Sequence, residues 1–167
     1  MTTLLRIIRL YSLALWVGGE VFFIIVAGIA FKYLPDAHTA GIVVRNSLLA
    51  LHRIGTAAGI VFVLATLGLL ATARDRHRAR IAELAIVVAM LVLTLYSQRA
   101  VMPRMDTDRL TLGGDVTKAP MDVPARRDFE RLHSLSVDLE GAVLIGGLVA
   151  LALTAVHGKT GDDKESR

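Results

Sequence analysis

Cysteine is absent from this 167-residue chain. That excludes disulfides, thiolate-bound metals and covalent c-type haem attachment. Aromatic residues make up only 5% of the chain, and no basic stripe is interleaved with them. The net charge of +4 is therefore not read as a nucleic-acid surface; basic residues divided among helix flanks and loops are usual for a membrane protein. Only four prolines occur, at 35, 103, 120 and 124, all outside the long apolar blocks. No nucleophile–base arrangement, phosphate loop or dinucleotide fingerprint is present, so a hydrolase or kinase has no support and an enzyme is not the leading expectation.

What the chain has in abundance is apolar length. Hydrophobic residues form 54% of it, and the mean hydropathy is +0.56. They fall into four long blocks. A bilayer-spanning helix needs about 20 mostly apolar residues, because the hydrocarbon core is roughly 30 Å thick and each residue rises about 1.5 Å. The expectation is an all-α integral membrane bundle of four transmembrane helices within residues 1–157, with spans near 7–32, 47–73, 81–98 and 129–156 and a polar, disordered tail at 158–167. The run from Leu10 to Phe31 is too long for the core of a signal peptide and carries Glu20 at its middle, so it reads as a retained first span.

The segment Arg74–Arg80 holds four arginines in seven residues. Short arginine-rich loops stay in the cytoplasm, which predicts both termini inside and, for a bacterial-looking chain, the inner (plasma) membrane. The lipid bilayer is the expected partner, with a homo-oligomer as a further expectation and nucleic acid excluded. A faint echo relates Leu51-His52 to Leu132-His133 and Leu34-Pro35 to Met102-Pro103. It suggests two similar hairpins, and it places His52 and His133 at similar depth.

Several polar residues fall inside or beside the apolar blocks. Charges near the bilayer centre are costly, by about 2.5–3.5 kcal/mol on insertion scales, and face a bundle interior or mark function. Glu20, Asp138 and Glu140 are such residues, with Arg53 and Arg99 as candidate partners and Trp16 beside Gly18-Gly19 lining the interior. Together these six form an expected polar seam. One reading of the seam is an ion or proton pathway, or a site for a cationic substrate; the other is an inter-helix bond that fixes the bundle.

His52 shares a helix face with Gly55, Thr56 and Gly59, and His133 shares one with Ser136 and Glu140. The spacing of Gly55 and Gly59 allows a neighbour to approach closely. The two histidines are candidate ligands for a metal ion or b-type haem. The alternative is a pair of interfacial histidines hydrogen-bonded to backbone or headgroups. Met102 and Met105 offer thioethers suited to Cu(I), though methionine also fills packing gaps.

Trp16-Val17-Gly18-Gly19-Glu20-Val21-Phe22-Phe23, Ala40-Gly41, Val101-Met102-Pro103-Arg104-Met105 and Phe129-Glu130-Arg131-Leu132-His133-Ser134-Leu135-Ser136 occur in that order. In these motifs the chain resembles the bacterial domain of unknown function 4149 family, which is similar to eukaryotic transmembrane protein 205. The resemblance runs from about Tyr11 to Leu153 and implies a small four-helix membrane protein of uncharacterised activity. Membrane protoporphyrinogen oxidases and the copper resistance protein D group share the flavour more distantly. Against a haem oxidase, no histidine occurs between Leu4 and Phe31. Three functions are consistent with these residues: transport or ion and proton handling through the seam, a haem- or metal-dependent membrane redox protein, and a non-catalytic assembly or scaffold protein.

Overall fold

The computed structural model describes residues 2–72 and 77–159. Arg74 to Arg76 of the arginine-rich loop, and the tail from residue 160, lie outside the described residues. Five α-helices follow in order: α1 Thr2–Tyr33, α2 Ala37–Thr72, α3 His77–Tyr96, α4 Met102–Thr111 and α5 Pro124–Lys159. A π turn, Ser97–Val101, joins α3 to α4 in one continuous rod, and a short 3₁₀ turn, Val116–Lys118, precedes α5. Four units, α1, α2, the α3–α4 rod and α5, are each long and apolar enough to cross a membrane. The bundle has two ends. The termini end carries the start of α1, the end of α2, the start of α3 and the end of α5; the distal end carries the α1–α2 and α4–α5 connections.

The helices run longer than the apolar blocks. α2 starts at Ala37 because Asp36 caps it: Thr39 donates its backbone N–H to Asp36 Oδ1 (2.7 Å) and its hydroxyl to Oδ2 (3.1 Å). These bonds hold the Asp36 carboxyl below its usual range. Leu34-Pro35-Asp36 thus ends one helix and begins the next.

Met102-Pro103 does not repeat that role. Proline lacks an N–H and its ring crowds the preceding turn. The π turn absorbs this, with the Met102 N–H reaching back to the Ser97 carbonyl, and Pro103 opens α4 without breaking the rod. Most of the expected loop from Arg99 to Arg127 is therefore helical. It narrows to residues 112–123, where Gly113 (φ 76°) and Gly114 (φ 93°) end α4. The Gly114 N–H bonds the Arg109 carbonyl at 2.8 Å and the Gly113 N–H that of Leu110 at 3.0 Å.

The two halves pack differently. In the termini half, Leu13, Trp16, Val17, Phe62, Val87, Met90 and Val143 form one dry core. The Trp16 ring lies over Gly55 and Gly59, where any Cβ would collide with it. Those two glycines form the seat of the tryptophan. In the distal half a smaller cluster, Leu48, Leu51 and Met102 with Phe23 and Leu49, packs α1 and α2 against α4.

Candidate functional site

Glu20 lies on the α1 face of Trp16 and Val17, offsets of four and three that return to one side of a helix. It is 3% exposed and accepts a hydrogen bond from Trp16 Nε1 at 3.1 Å on Oε1. Its Oε2 has no hydrogen-bond partner among the described residues. From α5, Glu140 Oε1 sits 2.8 Å from His52 Nε2 and accepts from the Ser97 hydroxyl at 3.2 Å. Glu140 Oε2 and His52 Nδ1 are buried without a partner. The π turn is what aims Ser97 inward, and π turns often sit at functional sites.

Above these groups, toward the distal end, lies a cavity of about 580 Å³. Glu20 and Glu140 are the deepest charged groups lining it. Phe23, Ile24 and Ala27 of α1, Leu48 of α2 and Gly141 and Leu144 of α5 supply apolar walls. The mouth is charged and largely self-paired. Arg45 grips Asp106 with two hydrogen bonds, one of them 2.7 Å, and Arg126 pairs with Glu130 at 2.7 Å. The Arg109 guanidinium lies over the Phe129 ring at 5.7 Å. Asp115 caps the 3₁₀ turn through Thr117, and those bonds pull its carboxyl down from 3.8 to about 2.

The expected seam divides. Glu20 and Glu140 line the cavity floor, backed by Trp16 and by the metal-ligand candidate His52 respectively. Arg53, Arg99 and Asp138 do not join them; all three are exposed. Helical phase is the reason. Arg53 is one residue past His52 and turned by about 100°, while Arg99 and Asp138 are each two residues from an inward group and turned by about 200°. Neither arginine reaches the acids.

His133 lines the cavity wall, is exposed, and stacks against Phe129 at 6.3 Å between centroids. It lies seven residues from Glu140, about 10 Å farther toward the distal end. His52 and His133 are thus at different depths, and no hydrogen bond or ring contact joins them among the described residues. Nor is there, among those residues, a group of three or more histidines and acids able to hold a metal ion. Met102 and Met105 both line the cavity.

Three groups escaped sequence reasoning. Ser97 looked like the end of a span. Arg45 and Asp106 lay in segments read as connections. Arg9 and Glu83 form a buried ion pair in the termini half, with the Arg9 guanidinium 4.8 Å from the Phe62 ring centre. A signal for that pair existed: Arg9 shares the face of Ser12, Leu13 and Trp16, so it points inward.

No curated protein and no solved structure matches the chain. The family model for the domain of unknown function (DUF4149) matches residues 11–108. The match takes in Trp16, Glu20, Arg45, His52, Ser97 and Asp106, and ends before α5 brings in Glu140. With more than half its length matched, the chain belongs to the domain of unknown function 4149 family.

Proposed function

We propose that this chain handles cations or protons at the floor of its distal cavity, with Glu20 and Glu140 as the binding groups. One observation carries this reading: two carboxyl groups, each with an unpartnered oxygen, meet a cavity inside a membrane bundle, and only one of them has a basic partner, His52. Carboxylates in a low-dielectric interior need a counter-charge or a proton. His52 answers one; a bound cation or an exchanged proton balances the other. Trp16 and Ser97 donate hydrogen bonds that position the two acids.

The arginine-rich stretch from Arg74 supports an orientation with the termini end in the cytoplasm of a bacterial inner membrane. The cavity then opens on the outer side. The dry core and the Arg9–Glu83 pair close the path below it, so transport requires those contacts to part.

Binding of tetramethylammonium to the purified chain tests the reading. Glu20→Gln and Glu140→Gln keep an oxygen for Trp16 and for His52 while removing the charge. Each variant is expected to insert and accumulate normally and to weaken binding by more than about tenfold, the effect of losing a charged partner in a desolvated site. If both variants bind as the unmodified chain does, or if they simply vanish from the membrane, the acids are structural.

A further inference from the structure

Which cation fits is decided by the cavity walls and by the one side of the cavity that is unclasped. Four helices and the 3₁₀ turn surround it. α2 is tied to α4 by Arg45 and Asp106, α5 to α2 by His52 and Glu140, and α4 to α5 by Arg109 against Phe129. Beyond Glu20, no hydrogen bond or ion pair joins α1 to α5 among the described residues. The two helices touch lower down, where a Cβ on Gly147 would come within 2.7 Å of Val17 Cγ2. At Gly141, which lines the cavity, an added Cβ would meet nothing within 4 Å. On either side of this gap, Ile24 (57% exposed) and Val137 (58% exposed) belong both to the cavity wall and to the outer surface of the bundle. In a bilayer, the outer surface of the bundle borders lipid.

The distal mouth is less suited to a cation. It carries Arg45, Arg109 and Arg126 against Asp106 and Glu130, and Arg109 has no acidic partner among the described residues. A cation approaching from water meets this excess of positive charge, whereas the walls on α1 and α5 near the floor are mostly apolar, with Ile24, Ala27, Val137, Gly141 and Leu144 beside Ser136. Glu20, 3% exposed, lines this space with one carboxyl oxygen bonded to Trp16. The Phe23 ring adds a face that attracts cations. A volume of about 580 Å³ matches an organic molecule of drug size, far more than a bare ion.

We propose that the cavity takes a lipophilic organic cation, an ammonium or phosphonium centre with an apolar body, which reaches the carboxylates from the bilayer through the gap between α1 and α5. The proposal rests on the cation-binding reading above and adds the ligand class and its route.

The test uses the full chain in lipid nanodiscs, with empty nanodiscs subtracted. The probes are tetraphenylphosphonium and tetramethylammonium, which share a charge and differ in apolar surface. Tetraphenylphosphonium is expected to bind more than about tenfold tighter, because its rings are buried against the walls. Gly141→Phe, which fills the gap from a position with free space, is expected to weaken tetraphenylphosphonium at least about tenfold more than it weakens tetramethylammonium. Val137→Trp, at an exposed site on the same rim, gives a second obstruction if the first variant is poorly produced. Equal binding of the two probes, or tetraphenylphosphonium binding that ignores both obstructions, overturns the lipophilic ligand and lateral route while leaving cation binding intact. Binding of both probes that also ignores Glu20→Gln and Glu140→Gln removes the underlying reading as well.

Discussion

The two halves of this bundle each bury charge, and they do it in opposite ways. In the termini half, Arg9 and Glu83 form a buried ion pair, the Phe62 ring covers the guanidinium, and Phe62 itself belongs to the packed core. In the distal half, Glu140 has a basic partner, His52, Glu20 has none among the described residues, and both adjoin a large cavity. A buried charge that is matched and packed fixes a fold. One that is unmatched and beside open volume is available to a ligand. On the cation-binding reading proposed above, the termini half serves structure and the distal half serves the ligand.

The largest effect is expected from breaking the matched pair. Glu83→Leu strands the buried Arg9 charge and should cost about 3–5 kcal/mol, read as lost denaturant resistance in detergent. Adding Arg9→Met should recover most of it. If the single variant is as stable as the unmodified chain, the assignment of that half to structure collapses. Next comes the tryptophan seat: Gly55→Val drives a side chain into the Trp16 ring and should cost about 1–3 kcal/mol by thermal unfolding.

The distal half should respond in the other direction. Glu140→Gln retains its hydrogen-bond geometry and is expected to change stability by less than about 1 kcal/mol while weakening cation binding, the reverse of Glu83→Leu. At the mouth, the Arg45–Asp106 pair is partly exposed, so Arg45→Ala should cost only about 0.5–1 kcal/mol, and less in high salt.

The smallest effect belongs to the connection. Asp115 has its carboxyl pulled down to about 2 by Thr117. Its contribution is complete above the unfolded value near 3.8 and fades as the pH falls from there toward 2. Asp115→Asn should remove that acid dependence, measurable as local amide exchange in residues 115–118, with no change at neutral pH in the binding of tetramethylammonium.

Much of the candidate site was legible. Glu20 and Glu140 stood out because ionisable groups inside apolar blocks are rare. His52 was marked by the small-residue face it shares with Gly55 and Gly59. Arg53, Arg99 and Asp138 were grouped with them by proximity along the chain, and the helical turn sent each of them outward. Pro103 looked like a helix end, but a π turn costs one extra residue and keeps the rod intact. That turn also supplied Ser97, which no sequence pattern marks.

The sequence by itself determined the number of spans, because each crossing demands about 20 apolar residues and the chain contains four such blocks. It also determined that acids and histidines would lie within them. Tertiary structure alone decided which of those groups face one another. In water, the contrast between apolar and polar faces announces how a helix is rotated; in lipid, the outer face is as apolar as the core, and that contrast is lost. Rotation was settled by the fit of Trp16 over two glycines and of Arg9 against Glu83. Those contacts turned Glu20 and Glu140 toward one cavity and left the gap between α1 and α5 open beside them.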